Sequence, residues 1–333
     1  MFAEYYGFNA MPFQLTPDSR FFYSSSVHAR AIAHLIYGLS QQEGFIIVTG
    51  EVGAGKTTLV ERLWSQLDRS TYTIARIVTS QVSGDDLLRL TAAAFGAGEG
   101  SDKATLLRGI EAILREHRAA GRRALLVVDE VQSLSIAGLE ELRMLSNITD
   151  DGHALLQTIL LGQPQFRRIL ASPELEQLRQ RVLASFHLGP LNEDETHAYI
   201  EFRLRAAGWA GNPSFEPEVF PLVFRHTGGI PRRINRLCSR LLLYGALEER
   251  AEISAAMVET TARELLEDLG SGHPGPAMTG PAPLPGTAQA AGALELAHLA
   301  HRMDALEHAL ARRERVFQRF IDLLGTLSEV RRP

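Results

Sequence analysis

Apolar positions in this chain follow two patterns, which change over near residue 190. Ahead of that point, short apolar runs near 45–50, 72–79, 124–129, 155–162 and 184–188 alternate with stretches of helical spacing. Phe45-Ile46-Ile47-Val48-Thr49 and Ala124-Leu125-Leu126-Val127-Val128 show no polar alternation, as expected of strands buried on both faces. Strands joined by helices in this way predict an α/β domain over residues 1–190. It would hold a five-stranded parallel sheet with right-handed crossovers and helices on both faces. Beyond residue 190 the strand pattern almost vanishes. Glu193–Ala207, Pro217–His226, Pro231–Leu247 and Ala255–Leu269 read as four helices, the last with Ser254 as its N-cap. They predict a helical lid over residues 191–269.

A third pattern closes the chain. Eleven of the twenty-four residues from 270 to 293 are Gly or Pro, and none is Asp, Glu, Lys or Arg. No core can be built from that composition, so the segment reads as a flexible linker. Over 294–333, Leu299, Met303, Leu306, Leu310, Arg313, Phe317, Phe320, Leu324 and Leu327 follow alternating steps of four and three. The seam is broken only at Arg313 and predicts about 50 Å of coiled-coil-like helix, long enough to zip with a partner. The alternative is an amphipathic helix folded back on the body, an arrangement that makes poor use of so long a linker.

The chemistry begins where the first strand ends. Gly50-Glu51-Val52-Gly53-Ala54-Gly55-Lys56-Thr57 fits G-x-x-x-x-G-K-[ST], and Thr58 onward has helical spacing. Glycines let the backbone wrap closely around phosphates with N–H groups pointing inward. Lys56 can reach the β- and γ-phosphates, Thr57 can hold Mg²⁺, and the helix N-terminus favours the added negative charge. The third strand ends in Asp129-Glu130. Asp129 stands where open α/β sheets place their chemistry and is a second Mg²⁺ candidate. Glu130 can orient or deprotonate an attacking water, which points to hydrolysis of a γ-phosphate rather than its transfer. Charge must also be neutralised on the transferring oxygens. Gln163 at the end of the fourth strand, Arg179 and Arg181 ahead of the fifth, and Arg232 at the start of a helix are the candidates.

The order of phosphate loop, Asp-Glu strand, polar strand end, arginine and Gly-x-x-Arg helix resembles an AAA+ ATPase. Tyr5-Tyr6-Gly7-Phe8, Met11-Pro12-Phe13, Leu15-Thr16-Pro17-Asp18 and Phe21-Phe22-Tyr23 are similar to the secretion ATPases related to general secretion pathway protein A. Tyr37-Gly38-Leu39-Ser40-Gln41 through Gly55-Lys56-Thr57-Thr58-Leu59, Glu141 to Asn147, Leu161 to Pro164, Leu175 to Val182 and Gly229 to Asn235 look most like the exosortase-associated (PEP-CTERM locus) members. The resemblance runs from about residue 2 to 269. It implies a P-loop NTPase fold of the AAA+ kind and ATP as substrate with Mg²⁺. It also implies Arg181 as a finger acting on a neighbouring subunit's nucleotide, Arg232 as a sensor from the lid, and Gln163 at the first-sensor position. That assignment requires a homo-oligomer. The family's Asp-Glu-Ala-Gln-Asn-Leu reads Asp129-Glu130-Val131-Gln132-Ser133-Leu134 here. Pro12, Phe13, Phe22, Tyr23 and His28 read equally as an adenine-facing wall or as core.

Composition changes this picture little. The chain has 333 residues, 45% hydrophobic and 22% charged, in the ordinary globular range. Its single cysteine, Cys238, cannot form an internal disulfide. The start lacks a signal-peptide pattern and no run is long and apolar enough to span a bilayer, so a cytoplasmic protein is expected. It would reach the inner face of a membrane through a protein partner, an envelope or export component held by residues 294–333. One alternative is an ATP-gated scaffold whose output is the coiled coil. Basic clusters at Arg115–Arg123, Arg232–Arg240 and Arg312–Arg319 raise another, a DNA-associated regulator of the transposition or origin-recognition type. A net charge of −5 and interspersed apolar and acidic residues argue against it. Among the eleven histidines, His298, His301 and His308 share a helix without a metal-binding motif, and no Gly-x-Ser-x-Gly elbow appears.

Overall fold

The computed structural model of the protein describes residues 2–270 apart from positions 17, 69, 79–83, 99 and 101. The linker expected beyond Gly270 and the helix expected over 294–333 lie outside the described residues. In chain order the helices are Phe2–Tyr6 (α1), Ser26–Ser40 (α2), Lys56–Gln66 (α3), Gly84–Phe95 (α4), Lys103–Ala119 (α5) and Ile136–Leu145 (α6). Then follow Phe166–Leu170 (α7), Glu176–Arg179 (α8), Glu193–Ala206 (α9), Val219–Thr227 (α10), Pro231–Leu247 (α11) and Ala255–Gly270 (α12). The strands are Phe45–Gly50 (β1), Tyr72–Val78 (β2), Arg123–Asp129 (β3), Thr149–Asp150 (β4), His153–Ala154 (β5), Leu156–Gly162 (β6), Val182–Leu188 (β7), Ser214–Phe215 (β8) and Glu252–Ile253 (β9).

Five strands form one parallel sheet in the order β2-β3-β6-β1-β7. The unbroken apolar runs are explained by what covers the sheet. Phe45 and Ile47 of β1, with Leu126 and Val128 of β3, join a core with α4, α5 and α6. Their neighbours Ile46, Val48, Leu125 and Val127 join a second core with α2 and α3 on the other face. Since successive side chains point to opposite faces, two-sided burial demands an apolar residue at every position. Side-chain caps start the flanking helices: Ser25 accepts the His28 N–H at α2, and Ser135 accepts the Gly138 N–H at α6.

The α/β part with its helical lid is the architecture expected from the pattern, with three additions. β4 and β5 pair antiparallel, each two residues long. β8 and β9 pair in parallel within the lid, each only two residues long. The N-terminal segment packs with the lid helices. Phe2, Tyr6, Phe8, Phe13 and Phe21 share a buried cluster with Tyr199, Leu204, Val223, Ile234, Leu237 and Leu241. Both sheet faces are already covered by helices, so these aromatics find their apolar partners in α9, α10 and α11. Arg203 on α9 ties the segment down: it is buried, donates from Nε to the Pro12 carbonyl at 2.6 Å, and lies over the Phe21 ring. Cys238 is buried in the same cluster, which pushes its thiol pKa up.

Candidate functional site

At the end of β1 the chain turns back through Glu51, Val52, Gly53, Ala54 and Gly55 into the first turn of α3. Gly53 and Gly55 have φ of 84° and 96°, the left-handed region that side chains resist. A Cβ on Gly53 would lie 2.3 Å from the Cβ of Arg232, and one on Gly55 3.2 Å from Nε2 of His28. Ala54 is buried beneath the loop, while Glu51 and Val52 face outward. Lys56, the first helical residue, is only 6% exposed and donates from Nζ to the carbonyls of Gly50 at 2.8 Å and Glu51 at 3.1 Å. Burial lowers the pKa of its ammonium group, and the charges of Glu130, Asp129 and Glu51 oppose that shift.

Opposite the loop, β3 delivers its two carboxylates. Asp129 is buried, and its Oδ2 accepts the Thr57 hydroxyl at 2.9 Å and the Arg76 guanidinium at 2.9 Å. Its Oδ1 accepts the Glu130 N–H at 3.0 Å. Glu130 has φ 57° and ψ 38°, left-handed backbone for a residue that is not glycine. Its Oε2 accepts Gln132 Nε2 at 2.6 Å and Gln163 Nε2 at 3.1 Å. Burial pushes the Glu130 carboxyl up, but those two amides and the charges of Lys56 and Arg232 more than offset it and hold its pKa below the usual value.

Loop and lid enclose a cleft of about 330 Å³, lined by Gly53, Gly55, Lys56, Thr57, Thr58 and Glu130 on one side and Arg232 and Asn235 on the other. Arg232 reaches the loop from the first turn of α11, where its N–H donates to the Gly53 carbonyl at 3.2 Å. Phe22, Tyr23 and His28 line the cleft as well. Phe13 is instead buried in the lid cluster, and Pro12 gives its carbonyl to Arg203. Tyr199 donates to Asn235 Oδ1 at 2.7 Å and accepts from Arg203 at 2.9 Å, a buried network that fixes the lid wall.

Arg181 stands apart from this gathering. It directly precedes β7, and its carbonyl accepts the N–H of Phe45 at the far end of β1 from Gly50. Five residues of strand put roughly 17 Å between those ends. Its guanidinium donates to the carbonyl and hydroxyl of Ser146, both at 3.2 Å, while Arg179 pairs with Glu176 on the surface. Gln163 follows β6 and is close to the site, with Gln165 donating to its Oε1 at 2.8 Å.

Two site residues escaped the sequence reading. Arg76 on β2 bridges Asp129 and Glu61 of α3. A charged residue inside an otherwise apolar strand, Ile74-Ala75-Arg76-Ile77-Val78, was its available signal. Gln132 lies two residues beyond Glu130, and nothing in its spacing marks its contacts.

The pieces fit a nucleotide with a divalent ion. The left-handed glycines present main-chain N–H groups where a side chain would collide, and a buried lysine and a lid arginine border the same cleft. Among the described residues no group of three or more His, Cys, Asp or Glu is gathered for a metal. Thr57 and Asp129 would therefore supply a minority of the ligands, which suits Mg²⁺ completed by phosphate and water.

Comparison with known proteins agrees with that geometry. Residues 39–170 match the family model described as AAA domain, and the sheet and lid have the AAA+ P-loop architecture. The chain thus carries an AAA domain, whose phosphate loop implies nucleotide binding. Among individual proteins it is 40% identical over 247 residues to general secretion pathway protein A of Aeromonas hydrophila. That match covers 73% of this chain but only 44% of the relative, so the chain spans less than half of that protein's length. Among solved structures, the ORC2 protein of Aeropyrum pernix in its ADPNP–ADP complexes superposes with a TM-score of 0.60 at 16% identity, covering 80% of this chain and 75% of that one. Cdc6p from Pyrobaculum aerophilum gives 0.60 at 16% identity over 78% and 75%. At that identity the likeness is one of fold. No helix among the described residues is long and apolar enough to cross a membrane.

Proposed function

We propose that this protein is an ATPase that binds ATP with Mg²⁺ and hydrolyses it. The observation that carries the reading is the convergence of Lys56, Thr57, Asp129, Glu130 and Arg232 on one cleft. Lys56 neutralises phosphate charge, and the main-chain N–H groups of residues 50–58 hold the phosphate oxygens. Thr57 and Asp129 hold the metal ion, which when bound spreads the charge that builds on the phosphate oxygens. Glu130 accepts a proton from the attacking water at its carboxylate, with Gln163 holding that carboxylate from one side. Arg232 meets the γ-phosphate from the lid of the same chain. Arg181 lies too far from its own loop to serve it, which supports a role on a neighbouring subunit and hence a homo-oligomer.

In the cell this activity would energise or regulate assembly of an envelope export system, of the protein-secretion or exosortase-associated exopolysaccharide type. The 40% identity with general secretion pathway protein A supports the secretion setting, and the resemblance of separated motifs such as Glu141–Asn147 and Gly229–Asn235 to exosortase-associated proteins supports the finer reading. The protein would work from the cytoplasm, held to export machinery through residues 294–333.

Replacing Glu130 with Gln tests the chemistry. ATP affinity should stay within about threefold, while turnover falls by roughly 10²–10⁴-fold, the usual contribution of a positioned base. Normal turnover in Glu130→Gln would remove Glu130 from that role. The same variant tests the setting. Its ATP-bound form should co-purify with envelope-assembly proteins, and that capture should vanish on deletion of residues 294–333. Salt-sensitive DNA in their place would overturn the export reading in favour of a DNA-associated regulator.

A further inference from the structure

We infer that Gln132 is the positioning residue of this site: a single carboxamide that fixes the Glu130 carboxylate and the chain at Gln163 together. The inference rests on the reading of Glu130 as the group that takes the water's proton.

The local backbone brings the two side chains together. Glu130 leaves β3 in the left-handed region, which a residue with a side chain resists. Val131–Ser133 then form one tight 3₁₀ turn. That reversal returns the Gln132 side chain toward Glu130, where Nε2 donates to Oε2 at 2.6 Å. The other end of the same carboxamide accepts the main-chain N–H of Gln163 at 2.9 Å. Its orientation is therefore fixed by chemistry: the end facing an N–H must be oxygen, so the end facing the carboxylate must be the donor. Gly162 leaves the room for this, since a Cβ there would lie 3.3 Å from Gln132 Oε1 and 2.8 Å from Val131 Cγ1. Gln163 donates to the same Glu130 oxygen at 3.1 Å, so two amides converge on Oε2 and set the plane of the carboxylate.

Gln132 thus joins the end of β3 to the end of β6. A carboxylate held at one oxygen by two fixed donors has lost the rotation that would otherwise scatter it away from the attacking water. Removing Gln132 frees that rotation and loosens the Gln163 amide while leaving Lys56, Thr57 and Asp129 in place.

The test uses the full chain in three forms, Gln132→Ala, Glu130→Gln and the double variant, read by ATP binding, single-turnover hydrolysis and amide exchange. Gln132→Ala should lower the hydrolysis rate about 10–100-fold and leave ATP affinity in Mg²⁺ within about twofold. Added to Glu130→Gln it should cost nothing further, because its action runs through that carboxylate. Without nucleotide, the Gln163 amide should exchange faster in Gln132→Ala than in the parent, a readout independent of activity. An unchanged rate in Gln132→Ala beside a strongly slowed Glu130→Gln overturns this inference and leaves the role of Glu130 standing. Parallel losses of rate and affinity overturn it too, since they mark general damage. If Glu130→Gln keeps its turnover, the base assignment falls and Gln132 falls with it.

Discussion

The two walls of the cleft are held by different forces. On the sheet wall, Lys56, Thr57, Arg76, Asp129, Glu130 and Gln132 are locked mainly to one another and to main-chain groups through hydrogen bonds and ion pairs. On the lid wall, the apolar cluster of α9–α12 and the N-terminal segment supplies most of the cohesion, with Arg203, Tyr199 and Asn235 as buried polar pins. The walls meet through main-chain bonds such as Arg232 N–H to Gly53 O, and through Glu195 of α9, which accepts the N–H of Ser26 at 2.8 Å. Charges clustered for ligand binding repel or desolvate one another and add little to folding, whereas buried pins are needed whether or not a ligand comes. The sheet wall is therefore expected to add little to folding, and the lid wall to carry more of the stability.

The strongest way to break that division is to damage each wall once. Arg203→Leu strips the Pro12 and Gln14 carbonyls and the Tyr199 hydroxyl of their donor. It should lower unfolding free energy by about 3 kcal/mol in urea titrations, the range for losing a buried charged donor. Thr57→Val removes one hydroxyl from Asp129 and should cost no more than about 1 kcal/mol of stability. In Mg²⁺, however, its nucleotide affinity should fall tenfold or more, about 1.4 kcal/mol. Equal stability losses in the two variants would show that the walls are not divided in this way.

A middle-sized effect is expected where the walls touch. Gly53→Ala places a methyl 2.3 Å from the Arg232 Cβ and forces a side chain onto φ 84°. Left-handed strain alone costs about 1–2 kcal/mol, and the clash pushes α11 away from the loop. Stability and nucleotide affinity should therefore fall together, the latter roughly tenfold. Arg232→Ala should not rescue Gly53→Ala, because the closest approach is to Cβ, which the alanine keeps. Rescue by that change would place the conflict elsewhere.

This division also decides what the sequence could reveal. The sheet wall was legible because the phosphate loop is contiguous and two-sided burial writes apolar residues at every position of β1 and β3. The lid helices were legible from their spacing, although α10 starts at Val219 rather than Pro217. Long-range pairing was not. The aromatics at 2–23 carry the same pattern whichever wall they join, and their partners lie some two hundred residues further on. Spacing alone thus leaves Pro12, Phe13, Phe22 and Tyr23 open between cleft wall and core, and the structure divides them: Phe13 joins the lid cluster while Phe22 and Tyr23 line the cleft. β8 and β9 are too short to show a period of two. Arg76 and Gln132 act through contacts across β3 and β6 that no local spacing encodes.

The smallest effect concerns His28, which lies against both walls. Its ring is 6% exposed; Nδ1 stands 2.7 Å from Ser25 Oγ, Nε2 faces Gly55, and the Phe22 ring meets it edge-on. Burial lowers its pKa from the ordinary 6.5, and the negative charge of Glu195 opposes the shift without cancelling it. The folded state thus favours the neutral ring. Its contribution is whole above the unfolded value and is lost as the pH falls through the lower folded one. Between pH 7.5 and 5.5 the parent should lose stability with a slope of up to about 1.4 kcal/mol per pH unit from this proton, and His28→Gln should lack that component. Measured without nucleotide, the difference between the two curves isolates His28 from every other titrating group. Curves of equal slope would mean that the ring binds its proton as readily folded as unfolded, and would remove His28 as an acid-sensitive joint between loop and lid.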